Sequence, residues 1–146
     1  MSENNEEKRK FNIEDFFTED HERDGVWFEP KIKGVPCGIE FLVTGSGTDE
    51  NMANAERYDK AMAELQDVKD LVEKAKKQKK VEADRVADFV QGIRPAKGCE
   101  PSFNGKPLEY SKPFIKEFLL RAPLIKIEIA KFATQTANFI TREKND

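Results

Sequence analysis

Between Val26 and Val43 apolar residues recur at every second position, and from Met52 onward they recur at every third or fourth. The two periods demand different backbones. A strand turns successive side chains to opposite faces, whereas a helix brings i, i+3 and i+4 onto one face. Val26, Phe28, Pro30 and Ile32 alternate with Trp27, Glu29, Lys31 and Lys33. After the turn signal Lys33-Gly34-Val35-Pro36, Cys37, Ile39, Phe41 and Val43 alternate with Gly38, Glu40, Leu42 and Thr44. A β-hairpin over Gly25 to Thr44 is predicted, with Pro30 at an edge or a bulge because it has no donor for a ladder. Gly45-Ser46-Gly47 reads as a loop, and Thr48 with Asp49 and Glu50 behind it reads as a helix start. The fold class expected is α+β: an N-terminal β-hairpin packed against a mainly helical body of three to four helices.

Met52, Ala55, Tyr58, Met62, Leu65, Val68, Val72 and Ala75 form a narrow helical stripe. It stops at Lys76-Lys77-Gln78-Lys79-Lys80 and resumes with Val81, Val86, Phe89 and Val90. Two helices, or one long bent helix, are therefore expected between residues 48 and 91. Gln91 to Tyr110 is read as a long connection, with a short hairpin about the tight-turn pair Asn104-Gly105. Ser111 and Pro113 open a helix carrying Phe114, Ile115, Phe118 and Leu119. Pro123 starts the last helix, expected to run to Ile140. Its polar stripe is Glu128, Lys131, Gln135 and Asn138, and nearly everything else is apolar. That apolar arc covers roughly half the circumference, against the ~100° of an ordinary surface helix. Such a helix is the centre of a core or packs on two things at once.

Hydrophobic residues make up 38% of the 146 residues and charged ones 36%, so the core must be modest. Eleven Phe supply much of it, since each ring buries a large area. The expected organisation is a disordered tail over 1–10, a single α+β domain over 11–140 and a frayed C-terminus over 141–146. Ile13, Phe16 and Phe17 fall on one face behind an Asn12 cap and are expected to dock on the protein's own sheet, because so short a helical turn is unstable alone. No apolar run approaches the ~18 residues of a membrane span, and Met1 to Lys10 has no apolar signal region. Cys37 and Cys99 are far apart in sequence and lack a CxxC spacing; they are read as small hydrophobes in a reducing cytoplasm.

Catalytic chemistry is not suggested. The one histidine, His21, lies in a run of charged residues and is read as an exposed loop residue. A Ser-His-Asp or Cys-His arrangement would need it packed and oriented. No spacing of His21, Cys37 and Cys99 fits a metal-ligand pattern. Gly45-Ser46-Gly47 lacks the glycine fingerprint and the Lys-Ser/Thr of a phosphate loop. No enzyme activity, cofactor or metal is expected. Lys74, Lys76, Lys77, Lys79 and Lys80 form the basic cluster. Without Arg or aromatic interleaving, and with a net charge of −3 on the whole chain, it reads as a solvated helix end before it reads as a nucleic-acid site.

The C-terminal third carries a resemblance. Its signals are Asn104-Gly105-Lys106-Pro107-Leu108-Glu109-Tyr110-Ser111, then Ala122-Pro123-Leu124, then Ala137-Asn138-Phe139, preceded by the Gly25-Val26-Trp27 hairpin opening. In this order of elements, over about residues 25–140, the chain resembles the tail assembly chaperones of long-tailed bacteriophages. The resemblance implies a protein that binds the long helical tape-measure protein in the host cytoplasm and keeps it soluble while the tail tube assembles. Such a protein is not expected in the mature virion. Self-association stays open under this reading. Phe16, Phe17, Ile125, Ile129, Phe132, Phe139 and Ile140 are the candidate partner-binding residues, with a core role the default for most. Two alternatives stand beside it: a structural tail-completion or head–tail joining subunit, and a nucleic-acid-binding regulator using Lys74 to Lys80.

Overall fold

The computed structural model describes residues 7–140. The tail expected over 1–10 lies outside them apart from Glu7 to Lys10, which are exposed and without regular structure; the end expected to fray, 141–146, lies outside altogether. The architecture is α+β, with five α-helices and small antiparallel sheets among the described residues.

Helix precedes the hairpin. A 3-10 turn, Ile13–Phe16, is capped by the Asn12 side chain, which accepts from the Glu14 amide at 3.0 Å. Then comes α1 (Glu19–Asp24), over the segment expected to be a charged loop. It has no apolar stripe to announce it. Hydrogen bonds hold it instead: the Glu22 carbonyl accepts from the Gly45 amide at 2.9 Å, and the Thr18 hydroxyl donates to the Glu22 carboxylate at 2.8 Å. Gly25 closes the helix at φ +91°, a conformation that favours glycine. His21 is therefore a half-buried helix residue, which corrects the expectation of an exposed loop histidine.

The hairpin itself is present but interrupted. β1 (Val26–Phe28) and β2 (Lys31–Ile32) lead into a tight turn at Lys33 and Gly34, both at positive φ. β3 (Val35–Pro36) and β4 (Ile39–Val43) return along them, β3 on β2 and β4 on β1. Pro30 sits buried at the break, offering only its carbonyl, which accepts from the Cys37 amide at 3.0 Å.

Beyond β4, α2 (Asp49–Glu64) is capped by Thr48, whose hydroxyl accepts from the Asn51 amide at 3.1 Å. Asn51 is buried, and its amide group donates to the Thr44 hydroxyl and the Gly45 carbonyl at 2.9 and 2.7 Å. After a 3-10 turn at Leu65–Asp67, Asp70 caps α3 (Leu71–Ala87). The chain thus breaks at 65–70, before the lysine run, which lies inside α3. The stripe Leu65, Val68, Val72 had masked the break because its spacing runs straight through it.

A third strand follows, where a helix end and a loop were expected. β5 (Val90–Pro95) pairs antiparallel with β4, giving the order β1-β4-β5. A register shift at Leu42/Val43 puts Val90 opposite Val43 and Gly92 opposite Leu42. Gln91 is the extra residue of a bulge, so Val90 and Ile93 both serve the core face although three positions apart.

β6 (Ser102–Phe103) and β7 (Lys106–Pro107) form the small hairpin about Asn104 and Gly105, both at positive φ. α4 (Lys112–Arg121) starts at Ser111, whose hydroxyl accepts from the Phe114 amide at 3.1 Å. α5 (Pro123–Thr134) stops short of the expected Ile140. Gln135 turns extended, a 3-10 turn covers Thr136–Phe139, and the Asn138 side chain donates back to the Phe132 carbonyl at 3.0 Å. Asn138 is thus a helix stop and not part of a helical stripe.

The inner faces of β4 and β5 meet α3, α4 and α5 in one cluster that includes Phe41, Val43, Val90, Ile115, Leu119 and Ile129. α5 touches both the strands and the helices α3 and α4, which is why its apolar arc is so wide.

Candidate partner-binding surfaces

The seven sequence candidates separate into two groups. Ile129 and Phe139 are 0% exposed. Phe132 is half-buried, stacked on Phe28 with ring centroids 4.2 Å apart and edge-on to Phe139 at 5.6 Å. Ile125 and Ile140 are half-buried, Ile125 packing against the core cluster. Ile125, Ile129, Phe132 and Phe139 lie in or against the interior, and Ile140 follows Phe139 half-buried. Phe16 and Phe17 do not join them: they remain 59% and 64% exposed, so the expected docking on the protein's own sheet does not occur. A 3-10 turn of four residues has no continuous apolar side to lay down, and its fixed contact is an edge-on ring pair, Phe11–Phe16 at 6.2 Å. Phe11 and Ile13, equally exposed, complete this apolar segment. Phe11 was missed because it follows a run of charged residues and precedes the cap.

The outer face of the sheet carries a second surface. The Arg94 guanidinium lies 4.0 Å from the Trp27 ring and pairs with Glu40 at 2.6 Å, bridging all three strands. Gly92 makes room: a β-carbon there would sit 3.3 Å from the Trp27 ring. Cation–π contact and an exposed ion pair each contribute modestly, so this face is tidy more than it is stable.

Where α2 packs on the end of α3, Tyr58 of α2 donates to the Asp88 carboxylate and approaches the Asp84 carbonyl at 3.3 Å. Arg57 adds its charge to Asp88 at 3.7 Å. Across from them the Lys112 ammonium donates to the carbonyls of Ala87 and Val90 at 2.9 and 3.0 Å, and Tyr110 donates to the same Val90 carbonyl at 3.0 Å. Burial pushes the Lys112 pKa down. Burial, with the hydrogen bond to Asp88, raises Tyr58 to about 12, and burial raises Tyr110 as well. Both tyrosines of the chain are thus shifted the same way. The tyrosinate absorbance of the folded protein should therefore develop above the ordinary midpoint of ~10, and return to it in denaturant. Asp88→Asn should lower the higher midpoint. Because folded Tyr58 holds its proton longer, its contribution to stability is complete below about pH 10 and is lost as pH rises through about 12. A folded-state titration centred at the ordinary value would refute the packing described.

The remaining candidate chemistry is dispersed. A depression of about 500 Å³ at the start of α2 is lined by Glu19, Glu22, Arg23, Asp49 and Glu50 among others. No group of three or more His, Cys, Asp or Glu among the described residues is placed to hold a metal ion. Cys37 is half-buried, its thiol pKa raised by burial, and Cys99 is exposed; both are free thiols. Among the described residues no helix is long and apolar enough to cross a membrane. Of the lysine cluster, Lys74 reaches Gln66 at 3.5 Å and Lys77 pairs with Glu73 at 3.0 Å, while Lys76, Lys79 and Lys80 project from α3 without such partners among the described residues. Comparison with protein-family models, curated proteins and solved structures finds no match to this chain.

Proposed function

We propose that this chain is a non-catalytic binding protein that covers an apolar helical partner, acting as a phage tail assembly chaperone for the tape-measure protein. One observation carries the reading: four large apolar side chains, Phe11, Ile13, Phe16 and Phe17, stand exposed within seven residues. Exposed apolar residues scattered singly need no explanation, but a contiguous group marks a contact surface. A long helical protein awaiting assembly presents an apolar stripe that water would otherwise meet, and an aromatic segment on a highly charged carrier is suited to shield it.

The test is co-expression with a tape-measure protein of a long-tailed phage whose genome encodes this chain. Solubility of the partner only in the pair, with co-elution on size exclusion, supports the role. An insoluble partner and this chain eluting alone would remove it.

A further inference from the structure

α3 and α4 run antiparallel: the start of α4 lies at the end of α3, where Lys112 bonds the Ala87 carbonyl. Between them is an open groove of about 410 Å³ whose lining includes Lys80, Ala83, Pro113, Lys116 and Leu120. Its apolar side is real, since Leu120 is 42% exposed. Its cations are unspent. Lys76, Lys79, Lys80 and Lys116 make no ion pair among the described residues, whereas neighbouring Lys77 and Lys126 are neutralised by Glu73 and Glu82. The acids of the groove are Asp84 and Glu117, and Glu117 already faces Arg121 at 3.7 Å.

The cations share one side of α3. Lys76, Lys79, Lys80 and Ala83 are spaced three and four apart, and Val72, also exposed, extends the row by a turn. From Val72 to Ala83 the row measures ~16 Å at the helical rise. Val72 therefore precedes a basic stretch, Lys76 to Lys80, about one turn long, and Leu120 gives an apolar point beside Lys80 in the groove. That is the complement of a helix carrying carboxylates at i and i+4 beside an apolar stripe.

We infer that the α3–α4 groove binds an acidic amphipathic helix of a partner protein. Charge complementarity names the occupant. An acidic ligand would gain nothing from a chain of net charge −3 as a whole, so attraction must be local to these lysines. Nucleic acid fits less well: the groove lining has no arginine or aromatic ring for bases to stack on. The groove's lining shares no residue with the Phe11–Phe17 segment, and the inference holds whether or not the partner is a tape-measure protein.

The experiment uses the full chain and a labelled helical peptide of about four turns, with Glu at i, i+4 and i+8 beside a Leu stripe. A matched peptide has Gln for each Glu, and a third probe is a single-stranded oligonucleotide. Fluorescence anisotropy is read at low and high salt. The inference expects the Glu peptide to bind, the Gln peptide to bind about tenfold or more weakly, and salt to narrow the gap. The K80E/K116E protein, shown folded by circular dichroism, should lose the Glu peptide and bind a Lys-for-Glu version instead. That charge-swap rescue distinguishes a contact from a folding defect. No binding of the Glu peptide, equal binding of the Gln peptide, or tighter binding of the oligonucleotide would each overturn the inference.

Discussion

Phe139→Ala is expected to destabilise the protein by about 3–5 kcal/mol, with Ile129→Ala following at about 2–5. Against a total stability of roughly 5–15 kcal/mol, either change is a large fraction of what holds a domain folded. Phe139 is wholly buried and meets Phe132 edge-on, and Phe132 in turn stacks on Phe28 of β1. Removing the first ring empties a site that its neighbours cannot collapse into without unstacking the second pair. Ile129 occupies the point where α5 meets the inner sheet face and the other helices. Urea unfolding monitored by circular dichroism gives the comparison. A loss under about 1 kcal/mol for Phe139→Ala would mean the C-terminal turn is not part of the core.

The double change Phe16→Ser and Phe17→Ser should do the reverse. Both rings are mostly in water, so the unfolding midpoint should stay within about 0.5 kcal/mol of the parent. Partner solubilisation, however, should fall to the level seen without the protein. In the co-expression assay this separates binding from folding directly. Stable protein with undiminished partner recovery would show that the aromatic segment is not the contact. A large loss of stability would show that the rings pack on the body after all.

The readable parts of this sequence were those with local, short-range causes. Thr48 and Ser111 act as caps through their own hydroxyls, and Asn104-Gly105 and Lys33-Gly34 adopt turns through their own dihedrals. The β1–β4 alternation was visible for the same reason, because both strands keep the period of two. β5 was hidden by its bulge: one added residue at Gln91 leaves Val86, Phe89, Val90 and Ile93 at spacings that imitate a helix. α1 could not be read because its stability comes from Gly45, distant in sequence, and not from an apolar face. α5 looked longer than it is since Gln135 and Asn138 keep helical spacing while the backbone has already left the helix. For the candidate site, the list of residues was legible but not their roles. Periodicity reports which side chains are apolar; whether a ring ends in the interior, as Phe139 does, or in water, as Phe16 does, depends on contacts far along the chain.

The Thr44 amide donates to the Phe89 carbonyl at 2.7 Å, so the chain leaves and rejoins the sheet at a single doorway. Everything between those residues is an excursion whose root is pinned and whose far end, around Leu65 to Val72, touches little of the sheet. Such a layout makes the outer half of the α2–α3 pair a spacer whose length is independent of the sheet. Adding matched whole turns to α2 and α3 would carry the tip outward by ~5.4 Å each without asking any strand to change register. Reach and sheet architecture are thereby set by separate parts of the chain.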